Sequence, residues 1–542
     1  MSILHFLRTL SVRALLELDL FGWRIKTAPI SNSHRPSNDS VILICDLWTM
    51  ISVAKIQAIF AASLSIRGCS PVVLLRKRNK LICGIYSALC ANFRFVFLDD
   101  YVTPSLLSEY SIQAREYINS YPCLDEFIGF EINGFRIGRN VLSRAVRAFR
   151  VGRLDPSNPK HMALLIDTLA ESLVAMHVSG DILLSLSPDK ALFLEKGYTP
   201  AAEIFDACVL NNIDTIQWFS APQDDHLIFK RFNTATRSHH PFSLGDSSWS
   251  RILQLPWSNV YENHVLDKIF SHYDGLSWYN RQQLQIGKCY FTPTQTRALL
   301  GSSSARKIAV IFAHVLYDAT FFYGSNLFAD YEQWLIESVR LAICNTSLNW
   351  FIKVHPSNAW RSRMDGSKME HLESNLLLRE FGDLPPHISI IPADTPINTY
   401  SFFNAIDYAL TVRGTVGMEF PCFGVPVVTA GDGRYSKKGF TIDPPTVDAY
   451  QNVLLNLHNI PPLSTDQITL ARKYAYGSFF LRPIPLKSFS IKNSHNRFVV
   501  SELKQSVVFD SPPTSSLVFN ADLSEITRFI LESNDDDLLA SL

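Results

Sequence analysis

The sequence predicts an α/β protein with two doubly wound domains, each built on a parallel sheet, that face each other across a cleft. Three observations support this prediction. The chain has 542 residues, which is too long for one compact core. Apolar runs of strand length alternate with helical segments in both halves, as in parallel sheets covered by helices. A polar, irregular stretch at residues 233–305 lies between the two series.

The first series of elements runs from residue 41 to residue 220. One of its helical segments ends at Gly68, a favourable C-terminal cap, and another opens at Pro200, which suits a first helical turn. Residues 103–178 are mostly helical in pattern and form an insertion. The predicted strands are VILICD (41–46), PVVLLR (71–76), FRFVFLDDY (93–101), KALFLEKGY (190–198) and DTIQWFS (214–220).

The second series follows a linker, GSSSARK, at residues 301–307. We therefore place one domain at residues 1–300 and a second at residues 301–485. Residues 486–542 form a C-terminal extension. One possible arrangement of this extension is packing against the first domain. The predicted strands are KIAVIFAH (307–314), WFIKVHP (350–356), HISIIP (387–392), YALTVRG (408–414) and VPVVTAG (425–431).

The composition excludes several classes of protein. Basic and acidic residues number 50 each, so the balanced charge gives no indication of a nucleic-acid partner. The nine cysteines include no CxxC pair, which favours buried thiols in a reducing compartment over a metal site. Glu17 and Asp19 interrupt the first apolar run, unlike in a signal peptide, and no uncharged apolar run is long enough to span a membrane.

These features predict a cytoplasmic protein. The first 25 residues form either an ordinary helix packed on its own domain or a helix lying on the inner membrane face, with Arg8 and Arg13 facing outward.

Residues at the carboxyl ends of the predicted strands are candidates for a binding site, because ligands of doubly wound sheets bind there. Both domains would present these ends to the cleft. The candidates are Asp46, Glu195, Ser220, His314, His355, Pro392 to Asp394, and Gly414-Thr415.

The segment RGTVGMEFPCFGVPVV, residues 413–428, predicts a short helix from Thr415 to Phe423 between two strands. Free N–H groups at Gly414 and Thr415 would form an anion site at the start of that helix. Glu419 lies one turn further on the same side, where its carboxylate can accept both hydroxyls of a ribose. The alternative is an ordinary turn between strand and helix, with a solvated Glu419.

His355 ends the strand run FIKVHP, and an imidazole at this place can donate a hydrogen bond to a phosphate. Taken alone, a histidine before proline is more often a strand terminator. Its place opposite the predicted anion site favours the phosphate interpretation.

Two further loops of the second domain reach the cleft. His314 and Asp318 lie in AHVLYDATFFYG, where Asp318 binds donor or acceptor, or is a solvated acid. The loop that starts at Pro392 and Asp394 can hold a nucleobase through main-chain groups. The aromatic residues Tyr400, Phe402 and Phe403 would flank the base, although helix packing explains them equally well.

A dense group of arginines marks the helical insertion. An acidic glycan or a lipid phosphate is a suitable partner for it, and a solvated helix face is the alternative. The group consists of Arg136, Arg139, Arg144, Arg147, Arg150 and Arg153.

These segments resemble bacterial glycosyltransferases with two Rossmann-like domains, the GT-B architecture. The run Thr415, Glu419, Gly424, Pro426 is similar to their donor-nucleotide segment. More narrowly, much of residues 130–440 resembles capsular and surface polysaccharide biosynthesis proteins related to transferases of 3-deoxy-manno-octulosonic acid (Kdo). The stretches that carry this resemblance are NGFRIGRNVLSRAVR, LEKGYTPAAEIFDACVLNNIDTIQW, AHVLYDATFFYG, FIKVHPSN and RGTVGMEFPCFGVPVVTAG.

The resemblance implies an inverting, metal-independent glycosyltransferase of capsule or O-antigen biosynthesis. It would use a nucleotide sugar, with CMP-sugars favoured, and a glycan or lipid-linked acceptor, and it would need no further cofactor. Residues 1–300 would form the acceptor side and residues 301–485 the donor side. His355 would bind the CMP phosphate, and Thr415 would support it.

The general base does not follow from the resemblance. Related sialyltransferases carry an acid-acid-glycine motif, and the nearest match, Asp99-Asp100-Tyr101, lacks the glycine. Glu195 is the first candidate, since it ends a strand at the cleft and Gly197 allows a close approach of the backbone to a ligand. Asp46 competes with it, and either carboxylate can instead cap the following helix.

Two other classes of function stay open. A nucleotide-sugar epimerase on the same fold would need several acids and a histidine around the sugar in both domains. A non-catalytic polysaccharide assembly protein would keep the fold with a degenerate cleft.

Overall fold

The computed structural model describes residues 3–27, 40–90, 93–274, 278–301, 306–365, 371–494, 499–510, 513, 516–517 and 520–540. Its strands form two large sheets and one hairpin. They are β1 (Val41–Asp46), β2 (Ser70–Leu75), β3 (Arg94–Phe97), β4 (Lys190–Phe193), β5 (Asp214–Ser220), β6 (His226–Phe232), β7 (Ile308–Phe312), β8 (Asn349–Lys353), β9 (Ile388–Ile391), β10 (Tyr408–Thr411), β11 (Val427–Thr429), β12 (Ile484–Pro485), β13 (Phe489–Asn493) and β14 (Gln505–Phe509).

The first sheet has the strand order β12-β6-β5-β4-β1-β2-β3. The strands β1 to β5 are parallel to each other, and β6 and β12 add an antiparallel edge. The apolar run of β1 is almost wholly buried, as expected of a central strand covered on both faces. Separate apolar clusters lie on the two faces of this sheet.

The second sheet has the order β11-β10-β7-β8-β9, and every pairing in it is parallel. It also carries an apolar cluster on each face. The prediction of two doubly wound domains is therefore confirmed. Because all strands of this sheet point the same way, their carboxyl ends meet at one edge.

Helices cover both sheets. They are α1 (Ile3–Thr27), α2 (Ile51–Ile66), α3 (Lys80–Ser87), α4 (Pro104–Ser120), α5 (Leu124–Phe127), α6 (Ile137–Phe149), α7 (Pro159–Leu186), α8 (Ala201–Leu210), α9 (Asp246–Leu253), α10 (Asn259–Asp274), α11 (Tyr279–Gln285), α12 (Pro293–Leu299), α13 (Tyr331–Cys344), α14 (Ser357–Asp365), α15 (Leu372–Phe381), α16 (Val416–Glu419), α17 (Val447–Leu455), α18 (Thr465–Tyr476) and α19 (Ala521–Glu532).

The insertion between β3 and β4 is helical, from α4 to α7. By length and composition α7 would be able to cross a membrane, but 56% of its most apolar window is buried in the protein. It packs against α4, α6 and α8, which is the behaviour of a core helix.

The polar stretch at residues 233–305 is not irregular, as the sequence predicted, but contains α9 to α12. Its scattered apolar side chains are enough to anchor these helices. Leu244, Trp249, Ile269 and Tyr273 are buried in the core beside the second sheet, although they precede the predicted domain boundary at residue 300. Residues 302–305 of the predicted linker lie outside the described residues.

The C-terminal region connects back to the first domain. After α18 the chain forms β12, which pairs with β6 of the first sheet. The β13–β14 hairpin and α19 then pack on the first-domain core through Phe489, Val507 and Phe529. The buried Asp537 receives ion pairs from Lys230 and Arg482, both at 2.9 Å.

Candidate functional site

Basic side chains converge beyond the carboxyl ends of β8 and β9. Lys353 ends β8 and is only 4% exposed, and His355 lies two residues further on, on the same side of the extended chain. Arg281 on α11 and Lys288 just beyond it approach from outside the sheet. Burial and then the charges of Lys288 and Arg281 lower the pKa of Lys353 well below its usual value. We call these four residues the cation cluster.

The cation cluster has little negative charge to balance it. Among the described residues, the only ion pair of its members joins Arg281 to Glu419, at 3.2 Å. Lys353 has no hydrogen bond or ion pair through its ammonium group within that same part of the chain. Burying an unpaired cation is unfavourable by several kcal/mol, roughly, so a bound anion would stabilise this arrangement.

His355 is oriented by the start of α14. Its Nδ1 accepts a hydrogen bond from the Ser357 backbone N–H at 3.2 Å and lies 2.8 Å from the Ser357 hydroxyl. Burial and the charges of Lys353, Arg281 and Lys288 lower the pKa of His355 to about 3. The ring is therefore neutral at pH 7, and its proton resides on Nε2, where it can be donated to a ligand.

Glu419 is fully buried, and both of its oxygens are engaged. Tyr273 donates to Oε2 at 2.6 Å and Arg281 donates to Oε1 at 3.2 Å. Arg281 also donates to the hydroxyl of Thr415, at 2.9 Å. A ribose can reach this carboxylate only after Arg281 has moved, and the alternative of a solvated Glu419 is wrong.

The predicted anion site on backbone N–H groups at residues 414–415 is reduced to one of its two groups. The helix there, α16, is a single turn that continues as a 3-10 turn from Phe420 to Phe423. The Gly414 N–H already donates to the Thr411 hydroxyl at 3.1 Å, whereas no hydrogen bond from the Thr415 N–H occurs among the described residues. The formal positive charge in this region comes from the side chains of the cation cluster.

The loop after β9 is partly occupied by the chain that follows α11. Cys289 donates to the Pro396 carbonyl at 2.7 Å and accepts from the Asn398 N–H at 2.8 Å. These main-chain groups are therefore not free for a nucleobase. Pro392 and Asp394 are exposed at the start of the loop, and the charge of Asp394 acts on Lys288.

The aromatic residues of that loop have structural roles. Phe402 and Phe403 are completely buried in the core beside the second sheet. Tyr400 is half-buried and packs edge-on against Phe270 with ring centroids 5.0 Å apart. Helix packing, the alternative noted from the sequence, explains these side chains.

His314 holds the loop after the neighbouring strand. Its Nε2 accepts from the backbone N–H groups of Val412, at 3.1 Å, and Arg413, at 3.4 Å. Its ring stacks on Tyr331 with centroids 4.4 Å apart. Burial lowers its pKa well below the usual range, so His314 is a neutral group that shapes the 412–414 loop.

Glu195 and Asp318 lie beside the same pair of phenols, since the charges of both raise the pKa of Tyr198 and of Tyr323. The Glu195 Oε1 accepts from the backbone N–H groups of Lys196, at 2.8 Å, and Gly197, at 3.2 Å. No hydrogen bond to its Oε2 occurs among the residues that the structure describes. Burial raises the pKa of Glu195.

Asp318 comes from the second domain and pairs with Arg147 of the first, at 2.7 Å. Arg147 also donates to the Tyr198 hydroxyl at 2.6 Å. Two carboxylates, one arginine and two phenols from both domains thus surround one region of the cleft.

The structure changes the argument for Glu195 over Asp46. Gly197 makes its close approach to the ring of Phe322 from the second domain, and a Cβ at this position would collide with that ring. Asp46 is only 1% exposed and accepts from the Tyr86 hydroxyl at 2.9 Å. Burial raises the pKa of Asp46 to about 7, and its enclosure keeps it from an acceptor in the cleft.

The arginine group of the insertion is mostly neither solvated nor free for a partner. Arg136 forms a buried ion pair with Asp206 at 2.7 Å, and Arg144 pairs with Glu171 at 2.6 Å. Arg153 pairs with Asp330 at 2.8 Å. The exceptions are the half-buried Arg139 and the exposed Arg150, for which no side-chain partner occurs among the described residues.

Sequence reasoning missed Arg281, Lys288 and Lys353. Lys353 carried a signal, because a lysine inside the otherwise apolar run FIKVH, two residues before His355, lies on the same side of a strand. Arg281 and Lys288 carried none, since they belong to a polar segment without strand or helix periodicity. Within the described residues, no group of three or more His, Cys, Asp or Glu side chains is placed to hold a metal ion.

Solved structures with a similar arrangement include a β-Kdo 2,4 transferase, KpsC, from Thermosulfurimonas dismutans. It is 14% identical in sequence, the match spans 55% of this chain and 81% of the transferase chain, and the TM-score is 0.30. A glycosyltransferase from Rickettsia africae is 11% identical; the match spans 82% of this chain and 94% of that chain, with a TM-score of 0.24. Anabaena HepE in complex with UDP and glucose is 11% identical, with 81% and 95% covered and a TM-score of 0.26.

No protein-family model and no curated protein matches the chain. At such identities and scores, the likenesses to solved structures say nothing about particular residues. The strand order and the chain crossing back at β12 identify the architecture as GT-B-like.

Proposed function

We propose that the protein is an inverting glycosyltransferase of surface polysaccharide biosynthesis that uses a nucleotide sugar and no metal ion. The observation that carries this proposal is the cation cluster at the strand ends of the second sheet, where a bound anion would stabilise the protonated form of the buried Lys353. We favour a CMP-sugar, with Kdo as the sugar, and a glycan or lipid-linked acceptor. The nine free cysteines support a cytoplasmic location.

The donor phosphate would lie among Lys353, His355 and Lys288. Among the described residues, the Lys353 ammonium and the Nε2–H of His355 have no acceptor, and the Lys288 ammonium donates only to the Ala393 carbonyl at 3.3 Å. Charge-assisted bonds to phosphate are strong. Arg281 would either exchange Glu419 for the phosphate or remain paired with it. Pro392 and Asp394, exposed at the adjoining loop, remain candidates for contacts with the base.

Glu195 would be the general base. Its Oε1 is held by two backbone N–H groups, which leaves Oε2 to accept the proton of the acceptor hydroxyl. The oxygen of the acceptor hydroxyl would then bond to the anomeric carbon as the bond from this carbon to the donor phosphate breaks, and Glu195 would keep the proton. The negative charge left on the phosphate would be stabilised by the cation cluster, and a single displacement inverts the anomeric centre.

Transfer is tested by incubating the protein with CMP-, UDP- and GDP-sugars and glycan acceptors and detecting products by mass spectrometry. We expect Glu195→Gln to lower turnover by about 10²–10⁴-fold, as for loss of a general base, and to keep nucleotide affinity unchanged. Asp46→Asn is the matched control and should retain turnover if it folds. Absence of nucleotide binding with every donor would remove the proposal.

An epimerase on the same fold is the second candidate. The observation that favours it is the pair of carboxylates, Glu195 and Asp318, contributed by both domains around one region of the cleft. An epimerase would change the sugar without any acceptor present. Product analysis of a nucleotide sugar incubated alone distinguishes the two functions.

A further inference from the structure

A second positively charged region lies in the cavity between the two domains. The cavity has a volume of about 510 Å³. The first domain contributes Arg139 and residues around 235–246, and the second contributes the loop after β11, including Arg434. Substrates that span a cleft of this kind contact both domains, so residues on its two walls are candidates for substrate recognition.

Two guanidinium groups line this cavity, Arg139 on α6 and Arg434 in the loop after β11. Arg413 follows β10 behind Gly433, and its Nη2 donates to the Oδ1 of Asn326. Burial and then the charges of neighbours that include Arg136 and Arg413 lower the pKa of Arg139, so these side chains lie within electrostatic reach of each other. Like charges brought together in this way repel.

Two of the three arginines carry buried donors that have no partner among the described residues. Arg413 is 4% exposed, and its Nε and Nη1 are such donors. The Nε of Arg434 is also buried and unpaired, and its guanidinium lies over the ring of Phe242, 5.1 Å from the centroid. Unsatisfied buried donors cost free energy, and a ligand acceptor would remove that cost.

Two of the acids that line the cavity are engaged by neighbouring side chains. Asp432 accepts from the Ser325 hydroxyl at 2.6 Å, and Asp246 pairs with Lys438 at 3.2 Å. The side chain of Asp536 lies against Gly245. None of the three arginines forms an ion pair with a carboxylate in the described part of the chain.

We propose that Arg139 and Arg434 bind an anionic group of a sugar substrate, a carboxylate or a phosphate, in the cavity between the two domains. Planar guanidinium groups bind such anions with paired hydrogen bonds. Because α6 belongs to the first domain and Arg434 to the second, the bound anion would hold the cleft closed. The sugar nature of the substrate rests on the proposed function, whereas the anion site does not.

Calorimetric titration with glucuronate, glucose 6-phosphate and glucose tests the site directly. We expect at least one anionic sugar to bind about tenfold or more tightly than glucose. Arg139→Gln and Arg434→Gln should each weaken that binding by about tenfold and leave the affinity for UDP and CMP within about twofold. Arg150→Gln, an exposed arginine of the same insertion, is the matched control and should change neither.

Two sources of the anion are distinguished by titrating UDP-glucuronate and UDP-glucose. If Arg139→Gln weakens the binding of UDP-glucuronate and not that of UDP-glucose, the anion belongs to the donor sugar. Glucuronate binding that persists with saturating nucleotide, and is lost in the same variant, places it on the acceptor.

Equal binding of glucose and of both anionic sugars would overturn the proposal. The proposal would also be overturned if the anionic sugar competed with nucleotide for a single site and Lys353→Met abolished that competition. Failure of nucleotide binding with intact anion binding would instead contradict the proposed function alone.

A different observation concerns α1, which presents an unpartnered apolar stripe. Leu15, Leu18, Phe21 and Ile25 are 44%, 65%, 62% and 61% exposed, and their spacings of three and four place them on one side of the helix. The opposite side is anchored, since Trp23 donates to the Ile85 carbonyl at 3.1 Å.

Basic residues accompany this stripe. Arg13, Arg24 and Lys26 are exposed on the same helix, against one exposed acid, Glu17. An apolar stripe beside cationic side chains matches the interface of a bilayer with anionic lipids. We infer that α1 docks the protein on an anionic membrane surface.

Flotation with vesicles of phosphatidylglycerol and phosphatidylcholine tests this inference, with pure phosphatidylcholine vesicles for comparison. We expect binding to the anionic vesicles that Leu18→Ser with Phe21→Ser reduces about tenfold or more. Leu184→Ser, at a leucine that is 81% exposed on α7, is the control and should not alter binding. Equal binding of the stripe variant, or a dimer in light scattering that this variant converts to a monomer, would overturn the inference.

Discussion

His314 and His355 end neighbouring strands of the second sheet, yet their surroundings differ completely. His314 follows β7, and its Nε2 accepts from backbone N–H groups of the loop after β10, the strand that pairs with β7. His355 follows β8, uses Nδ1 as the acceptor and leaves its Nε2 proton available. The same position in the strand pattern therefore gives a loop-shaping residue in one case and a ligand candidate in the other.

The difference follows from which segment covers each strand end. A neighbouring loop closes over His314, whereas α11 and the chain beyond it bring Arg281 and Lys288 to His355. Cations lie near both rings, since Arg413 and Arg434 also lower the pKa of His314. A histidine at a strand end is thus informative about ligands only together with the hydrogen bonds that its ring already makes. Four experiments test this comparison, and they are ordered by the expected size of the effect.

Lys353→Met should have the largest effect, with opposite signs on binding and on stability. We expect nucleotide affinity to fall by about 2–3 kcal/mol, because a buried cation facing the phosphate is lost. The folded-state pKa of Lys353 is depressed, so its protonation disfavours folding, and the variant should unfold at higher denaturant concentration at pH 7. The gain in the free energy of unfolding should vanish as the pH approaches the pKa of lysine in the unfolded chain, about 10.4. Unchanged nucleotide affinity would contradict the phosphate role.

Alanine substitutions at the two histidines should separate binding from stability. His355→Ala should weaken CMP or UDP binding by about tenfold and change the free energy of unfolding little. His314→Ala should lower the free energy of unfolding by about 1–3 kcal/mol, because two backbone donors lose their acceptor. Calorimetry and urea unfolding of both variants provide the measurements. Equal effects of the two substitutions on both quantities would show that the histidines do not differ.

Proton uptake on nucleotide binding should distinguish the two rings further. The folded-state pKa of His355 is about 3, so in the free protein it stays neutral while the unfolded chain takes up a proton below about pH 6.5. Stability therefore falls as the pH decreases from 6.5 towards 3. A bound phosphate should raise that pKa, so nucleotide binding near pH 5.5 should take up a proton. Calorimetry in buffers of different ionisation enthalpy should show this uptake in His314→Gln and not in His355→Gln.

Lys288→Met should give the smallest effect, a change in pH dependence. Burial lowers the pKa of Lys288 to about 8, so the free protein loses this charge as the pH rises through that value. Nucleotide affinity should then decline by a few-fold, roughly, between pH 7.5 and 9, and the variant should lack the decline. An identical pH profile in both proteins would remove Lys288 from the site.

The sequence located strand ends well because they follow from local patterns. VILICD and FIKVH form buried strands, since their apolar runs satisfy both faces of a covered sheet. It failed for residues 233–305, where the helices α9 to α12 have weak periodicity and depend on packing against the second sheet. Arg281 could not be found for the same reason.

Side-chain roles were predicted less well than their positions. Glu195 and Asp46 both end strands, and only burial in the folded protein separates the partly exposed carboxylate from the enclosed one. Arg136 and Arg139 are three residues apart on the chain, yet Asp206 neutralises the first, and no described carboxylate forms an ion pair with the second.

The sequence by itself determined the two series of strands and helices and the residues that stand at the strand ends, because both depend on the order of residues along the chain. Only the tertiary structure decided which of those residues are paired, enclosed or left with unsatisfied charge. Coulomb interactions and hydrogen bonds depend on distances in space, and here those distances are set by segments such as α11 that are far away in sequence.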